Sequence, residues 1–279
     1  MRFHFDEDKQ YLYFEDERCE KVTKKCLKGV FIVFFILTII VISLYAWFYS
    51  NYYFLTVTGR SMQPTLNVDV QYQSDAQDCV IVEKNASLDY EDIIIIKNPF
   101  NINSDNTIIK RLLAKEGDKI SIIKTDGLYH LLRIKKWYNE IEVLQEEYIL
   151  DYLEWSKDAF VIDGSQGVTY EAQFYNNYFK TTGLFYEKEN ISQELYNGKY
   201  VYFYEIDENE IFYMGDNRAN SSDGRYYGPV STDIVLGKVV KICYNGAYSD
   251  FFFVRGFYQL KGLFEYFMPK LINFFSWKG

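Results

Sequence analysis

Three short segments carry residue types that could do chemistry together. In TGRSMQPTL, residues 58–66, Ser61 follows Gly59, where the backbone can bend closely, and precedes Pro64, which stiffens the departing chain. In NTIIKRLLAKEGDKI, residues 106–120, Lys110 shares one face of an alternating strand with Ile108 and Leu112, so its ammonium would turn inward. Burial disfavours a charged lysine and pulls its pKa toward neutrality, where the amine can accept a hydroxyl proton. A serine and such a lysine form a nucleophile and a base that need no histidine. In FYMGDNRANSSDGRYYGPVS, residues 212–231, the density of Gly, Asp, Asn and Ser predicts a rigid loop. There Asp216 or Asp223 could hold Arg218 or Arg225, and Ser221 or Ser222 could orient an amine. Each segment alone reads as ordinary structure: a plain loop around Ser61, a surface lysine beside Arg111 with a Gly117-Asp118 hairpin turn, and a turn-rich connection.

Composition narrows the chemistry. The 279 residues are 48% hydrophobic, 25% charged and 19% aromatic, which fits one large or two small packed domains and excludes disorder or a polytopic membrane protein. With 39 acidic against 30 basic residues the net charge of -9 repels phosphate backbones, so no nucleic-acid partner is expected. His4 and His130 are the only histidines, which leaves little room for a zinc site or a Ser-His-Asp triad; no metal or cofactor is expected. Cys19, Cys26, Cys79 and Cys243 lack paired metal-ligand spacing and read as isolated packed thiols, with a Cys79–Cys243 disulfide left open.

The elements that must position these residues begin with a membrane segment. VFIVFFILTIIVISLYAWF, Val30 to Phe48, is free of charge and nearly spans a hydrocarbon core of about 30 Å as a helix. Tyr45, Trp47, Tyr49, Tyr52 and Tyr53 form an aromatic belt at its exit. The alternative is a buried core helix, though such helices are rarely charge-free for so long. Lys21, Lys24, Lys25 and Lys28 precede the run and no lysine or arginine follows until Arg60, so the N-terminus is expected in the cytoplasm and everything after the span outside. The long core and its bulky exit favour an anchor over a cleaved leader.

Beyond the anchor, VIVEK at 80–84, DIIIIK at 92–97 and KISIIK at 119–124 read as strands of a mainly β domain. The expected organisation is a cytoplasmic segment 1–28, an anchor 29–50, a first core part 51–124, an inserted tyrosine-rich subdomain 125–205 with a turn at 163–167, a second core part 206–249, and an aromatic tail 250–279. The tail is broken by Arg255, Lys261, Glu265 and Lys270. It reads either as an amphipathic segment on the bilayer or as a packed terminal helix or strand pair, with Pro269 disrupting a helix.

In this order the anchor, SMQPTL, DIIIIKNP, IIKRLLAKEGDKI and GDNRANSSDGRYYGPVSTDIVLGKV resemble the bacterial type I signal peptidases, membrane-anchored serine-lysine proteases that remove leader peptides from exported proteins. The resemblance implies a coiled antiparallel β-sheet catalytic domain with an insertion. It also implies that Ser61 is the acylating nucleophile, that Lys110 is its general base, and that Ser221 hydrogen-bonds the lysine amine. Asp216, Arg218, Asp223 and Arg225, with Arg111, match structural and orienting positions around the lysine. Gly59, Met62 and Pro64 match the substrate or oxyanion neighbourhood, where the Ser61 N–H would donate. Gly59 stands where some members carry a serine and Ala219 where some carry an acid; lysine at 110, rather than the histidine of the endoplasmic-reticulum branch, points to the bacterial or organelle branch. The implied partners are signal peptides of exported preproteins with Ala-x-Ala-like sites, the lipid bilayer and a nearby secretion translocon. The implied place is the bacterial cytoplasmic membrane, with the catalytic domain extracytoplasmic. The insertion and the tail lie outside the resemblance. Two other readings stay open: a serine-lysine peptidase for one dedicated precursor, and a catalytically silent protein that binds leaders or ligands on an aromatic β surface.

Overall fold

The structure is a computed structural model that describes residues 2–6, 11–15, 17–68, 78–99, 106–125, 128–149, 191–243 and 252–276. The chain divides into two units, Met1–Asn51 and Tyr52–Gly279. In the first, strands β1 (Arg2–Asp6) and β2 (Tyr11–Glu15) form an antiparallel hairpin that precedes helix α1 (Glu17–Asn51). The helix starts well ahead of the apolar run because ERCEKVTKKCLK contains neither glycine nor proline and is rich in good helix formers. Its segment Lys24–Asn51 contains an 18-residue window of mean hydropathy 2.8 with no buried residue, and is long and apolar enough to cross a membrane. Thr38 Oγ1 donates to the Phe34 carbonyl at 2.9 Å and Ser50 Oγ to Ala46 at 2.8 Å, so these hydroxyls satisfy themselves within the helix.

The second unit is built from two antiparallel sheets. The larger contains β3 (Tyr52–Thr56), β4 (Cys79–Glu83), β5 (Ile93–Lys97), β6 (Thr107–Lys115), β12 (Glu210–Met214), β13 (Val230–Ser231) and β14 (Val235–Cys243), in the order β13-β12-β6-β5-β14-β4-β3. The smaller contains β7 (Lys119–Thr125), β8 (Leu128–Ile134), β9 (Glu142–Val143), β10 (Ile191–Tyr196) and β11 (Lys199–Glu205), in the order β10-β11-β7-β8-β9. The mainly β reading therefore holds. The four isoleucines of β5 explain its central place: Ile93 and Ile95 pack with Val57, Met62, Val80 and Val82 on one face, while Ile94 and Ile96 pack with Leu112, Ile211 and Tyr213 on the other. A further core joins Leu113, Ala114 and Phe212 of the larger sheet to Ile120, Ile122, Leu131 and Tyr204 of the smaller.

The chain passes from β6 to β7 through a corner at Glu116–Asp118. Gly117 takes a positive φ of 77° there, and the buried Asp118 carboxylate accepts the Lys115 N–H at 2.7 Å and the Lys136 N–H at 2.8 Å. The described parts of 125–205 supply strands of the smaller sheet and the connecting segments 135–141 and 144–149, and the boundary drawn at 124/125 falls at the end of β7, whose hairpin partner is β8. The turn expected at 163–167 lies outside the described residues.

Near the C-terminus a short helix α2 (Gly224–Tyr227) precedes β13, and helix α3 (Phe252–Ser276) packs on β14 and β4. The expectation that Pro269 disrupts a helix is corrected: α3 runs through it. Pro269 is exposed, and packing of the preceding turns on the sheet offsets the helical hydrogen bond it forgoes. Cys79 and Cys243 stand opposite each other in the β4–β14 ladder as buried thiols, and the disulfide left open by the sequence is not formed between them.

Candidate active site

Ser61 and Lys110 are 49 positions apart in sequence, and the fold brings them into contact: Lys110 Nζ lies 2.8 Å from Ser61 Oγ. Lys110 enters from β6, where it faces the same way as Ile108 and Leu112. Its side chain is 3% exposed, and Nζ makes one further hydrogen bond, to the Ile109 carbonyl at 3.0 Å. Burial pushes its pKa down from 10.5 to about 8. Arg225 pushes in the same direction, and Asp223 and Asp216 pull the other way.

Ser61 opens a turn directly after β3. Gly59 adopts a φ of 86° with open space where a Cβ would be, so the backbone conformation, rather than crowding, requires glycine. Met62 is buried at 2% exposure in the core beneath the turn, and Pro64, after a cis peptide bond, continues it. The approach strand is pinned by a pair the sequence did not flag. Asn67 Nδ2 donates to the Val57 carbonyl at 3.0 Å and the Gly59 carbonyl at 2.9 Å. Asn67 and Asp78 exchange two backbone-to-side-chain bonds at 2.7 Å. The Ser61 carbonyl accepts the Asn217 N–H at 3.0 Å, whereas among the described residues the Ser61 N–H has no acceptor.

The loop that follows β12 supplies the rest of the surroundings. β12 and β6 pair with a register shift between Phe212 and Tyr213 and stop at Met214 opposite Arg111. Gly215 then turns the chain across the site; a Cβ there would lie 2.2 Å from Ser221 Oγ and 2.4 Å from the Ser61 carbonyl oxygen. The Gly215 N–H donates to Asp223 Oδ2 at 2.9 Å.

The arginines pair differently from the in-loop scheme expected from sequence. Asp223 does hold Arg225, through Nε and Nη2 at 2.9 Å each. Burial alone would raise the Asp223 carboxyl, but Arg225 holds it below the usual carboxylate range. Asp216 instead takes the fork of Arg111, at 2.8 Å from Nε and 2.6 Å from Nη2, and also accepts Thr65 Oγ1 at 2.5 Å. Arg218 leaves the loop to grip Glu146, with Nη1 donating to Oε2 at 2.9 Å and Nη2 to Oε1, both side chains being fully enclosed. Arg225 Nη1 in turn donates to the Arg218 carbonyl at 2.8 Å. Tyr148 connects the two systems: its hydroxyl donates to Glu146 Oε1 at 3.0 Å, and the Arg111 guanidinium stacks 3.9 Å over its ring.

Ser221 lies in the same enclosure, but the hydrogen bond to the lysine that the resemblance implied is not formed. Among the described residues its buried hydroxyl makes no hydrogen bond, although it stands near enough to Asp223 to help lower that carboxyl. Sequence reasoning missed Thr65, Asn67, Asp78, Glu146 and Tyr148, which carry no local motif, and Gly215, which stands inside GDNR. No group of three or more His, Cys, Asp or Glu side chains among the described residues could hold a metal ion.

A cleft of about 520 Å³ opens beside Ser61 and Lys110, lined also by Leu55, Val57, Gly59 and Ile108. Two strand edges with no neighbouring strand among the described residues border it. β3 is the last strand of its sheet, and residues 107–110 of β6 extend past the end of β12 pairing.

Comparison with known proteins identifies the family. The family model described as "Signal peptidase, peptidase S26" matches residues 27–244. The signal peptidase I of Aquifex aeolicus (strain VF5) is 30% identical over 206 residues, covering 68% of this chain and 75% of that protein. The signal peptidase I of Streptococcus pneumoniae serotype 4 is 26% identical over 194 residues, covering 68% of this chain and 80% of that protein. Among solved structures, a signal peptidase I from Enterococcus faecalis V583 aligns at 18% identity and a TM-score of 0.30, covering 56% of this chain and 98% of that one. A match that runs from the apolar helix to the last strand of the larger sheet assigns this chain to the signal peptidase family, peptidase S26, as a serine hydrolase.

Proposed function

We propose that this chain removes N-terminal signal peptides from exported preproteins with a Ser61/Lys110 dyad, working at the membrane surface. The observation that carries the reading is the 2.8 Å contact between Ser61 Oγ and a lysine amine whose pKa burial lowers to about 8. In the neutral form Lys110 Nζ takes the Ser61 proton as Oγ attacks the scissile carbonyl. The protonated amine then gives that proton to the leaving amine, the new N-terminus of the mature protein. A water molecule, deprotonated by the same lysine, attacks the acyl carbonyl, and Ser61 Oγ leaves with the proton. The uncommitted Ser61 N–H is a donor for the oxyanion, a type of contact worth roughly 3 kcal/mol.

The two open strand edges beside the cleft suit a substrate bound as an added strand. Backbone bonds would supply affinity, and the apolar wall of Leu55, Val57 and Ile108 would supply selectivity for small residues of the Ala-x-Ala kind. The span Lys24–Asn51 would anchor the enzyme with residues 1–28 in the cytoplasm and the sheets outside, near the bilayer and the translocon that delivers the substrate.

The test is cleavage of an Ala-x-Ala-containing preprotein by the detergent-solubilised full chain. Ser61→Ala and Lys110→Met are each expected to lower kcat/KM by at least about 10³-fold while folding is retained. Near-parental activity in either variant would overturn the assigned roles.

A further inference from the structure

A helix lying on a sheet in water turns its apolar side inward and its polar side outward. Helix α3 departs from that rule. Its inner side is fixed by Gly262, buried so closely on β14 that an added Cβ would lie 2.1 Å from Cys243 Sγ, and Glu265 on its flank bridges to Lys241 at 2.8 Å. With 3.6 residues per turn, Phe257, Leu260, Phe264 and Leu271 project from the side opposite Gly262. They are 64%, 66%, 64% and 49% exposed, so the outward pole of the helix is the apolar one. Lys261, Glu265 and Lys270 occupy its flanks.

Two observations say what covers this stripe. Tyr52, the first residue after the apolar segment Lys24–Asn51, packs edge-on against Tyr266 and Phe267 of α3 at 6.1 and 5.4 Å between ring centres. The helix is therefore held against the first residue the chain places beyond its span. The charge also fits. In a protein of net charge -9, α3 contributes Arg255, Lys261 and Lys270 against the single acid Glu265, a sign complementary to anionic lipid headgroups. Lys270 Nζ donates to the Tyr266 hydroxyl at 2.5 Å, which joins basic and aromatic groups of the kind that settle at a headgroup boundary.

We propose that α3 is an interfacial membrane helix. Its Phe257, Leu260, Phe264 and Leu271 stripe enters the headgroup–acyl boundary, and the larger sheet gains a second attachment to the bilayer through β14 and β4. The inference rests on Lys24–Asn51 crossing the bilayer and is independent of the Ser61/Lys110 chemistry; α3 lies beyond the residues matched by the family model.

The test uses the full chain with Cys19→Ser and Cys26→Ser, reconstituted in nanodiscs of phosphatidylcholine and phosphatidylglycerol. Phe257→Cys, Leu260→Cys, Phe264→Cys, Leu271→Cys and the flank position Lys261→Cys are labelled one at a time with an environment-sensitive dye. Ile39→Cys in the middle of the span serves as an internal reference. Lipids carrying a nitroxide near the top of the acyl chain are expected to quench the four stripe positions about twofold or more and position 261 far less. Dyes on the stripe that stay in water, with Ile39→Cys quenched, would overturn the proposal while leaving the span intact. Failure at Ile39→Cys would overturn the membrane reading itself. A stripe that is shielded but not quenched, with cross-links between two copies, would overturn the proposal in favour of a second copy as the occupant.

Discussion

Lys110 works between opposing influences. Burial and Arg225 favour the neutral amine, while Asp223 and Asp216 favour the ammonium, and the balance lowers its pKa from 10.5 to about 8. The neutral form that the proposed mechanism uses is then the minority species at pH 7 and becomes dominant above about 8. The expected kcat/KM therefore rises about tenfold per pH unit from pH 5 to 7 and levels off above about 8. Single-turnover cleavage across that range checks this, and a rate independent of pH from 5 to 7 would remove lysine as the base. The carboxylates stay out of proton transfer for a separate reason. Asp216 and Asp223 each accept an arginine fork, and the Gly215 N–H adds to Asp223, whose carboxyl Arg225 holds below the usual carboxylate range.

At the scale of elements, the site depends on how the loop after β12 is held. The loop has little apolar content, and its shape comes from three arginine–carboxylate pairs, two of which reach outside it: Arg111 of β6 to Asp216, and Arg218 to Glu146. Glu146 and Arg218 are each 1% exposed, so removing the acid strands a buried guanidinium. Glu146→Ala is expected to destabilise the second unit by about 3–5 kcal/mol, read as a lowered denaturation midpoint, and Glu146→Gln by less because the amide oxygen can still accept one bond. An unchanged midpoint in Glu146→Ala would mean that the loop is held by its own turns. The same paired arrangement explains why the loop is only partly legible in sequence. Asp223 and Arg225 are neighbours, and their pairing follows from turn geometry, whereas the partners of Asp216 and Arg218 come from distant segments that nothing in the loop sequence encodes.

At the scale of the whole molecule, the sheets of a peptidase follow a segment long and apolar enough to cross a membrane. If residues 1–28 face the cytoplasm, a membrane-impermeant maleimide applied to intact bacteria should label Glu208→Cys at an exposed turn and spare Cys26 until the cells are opened. The reverse pattern would invert the topology. Much of the molecule is legible in its amino-acid sequence because the signals are local. The charge-free run long enough to cross a bilayer is the apolar part of α1. The β-branched runs are β4, β5 and β7. Alternation along 108–112 puts Lys110 on an inward face, since side-chain direction in a strand follows position parity. What only the tertiary structure decided were relations between segments: the contact of Lys110 with Ser61, the exchange of arginine partners with Glu146 among them, the Asn67–Asp78 clamp behind the Ser61 turn, the Ser221 hydroxyl beside Asp223 rather than on the lysine, and the continuity of α3 through Pro269. Local sequence fixes dihedral preferences and the parity of a face, but which faces and charges meet is set by long-range packing, where a buried ion takes whichever partner relieves its desolvation best.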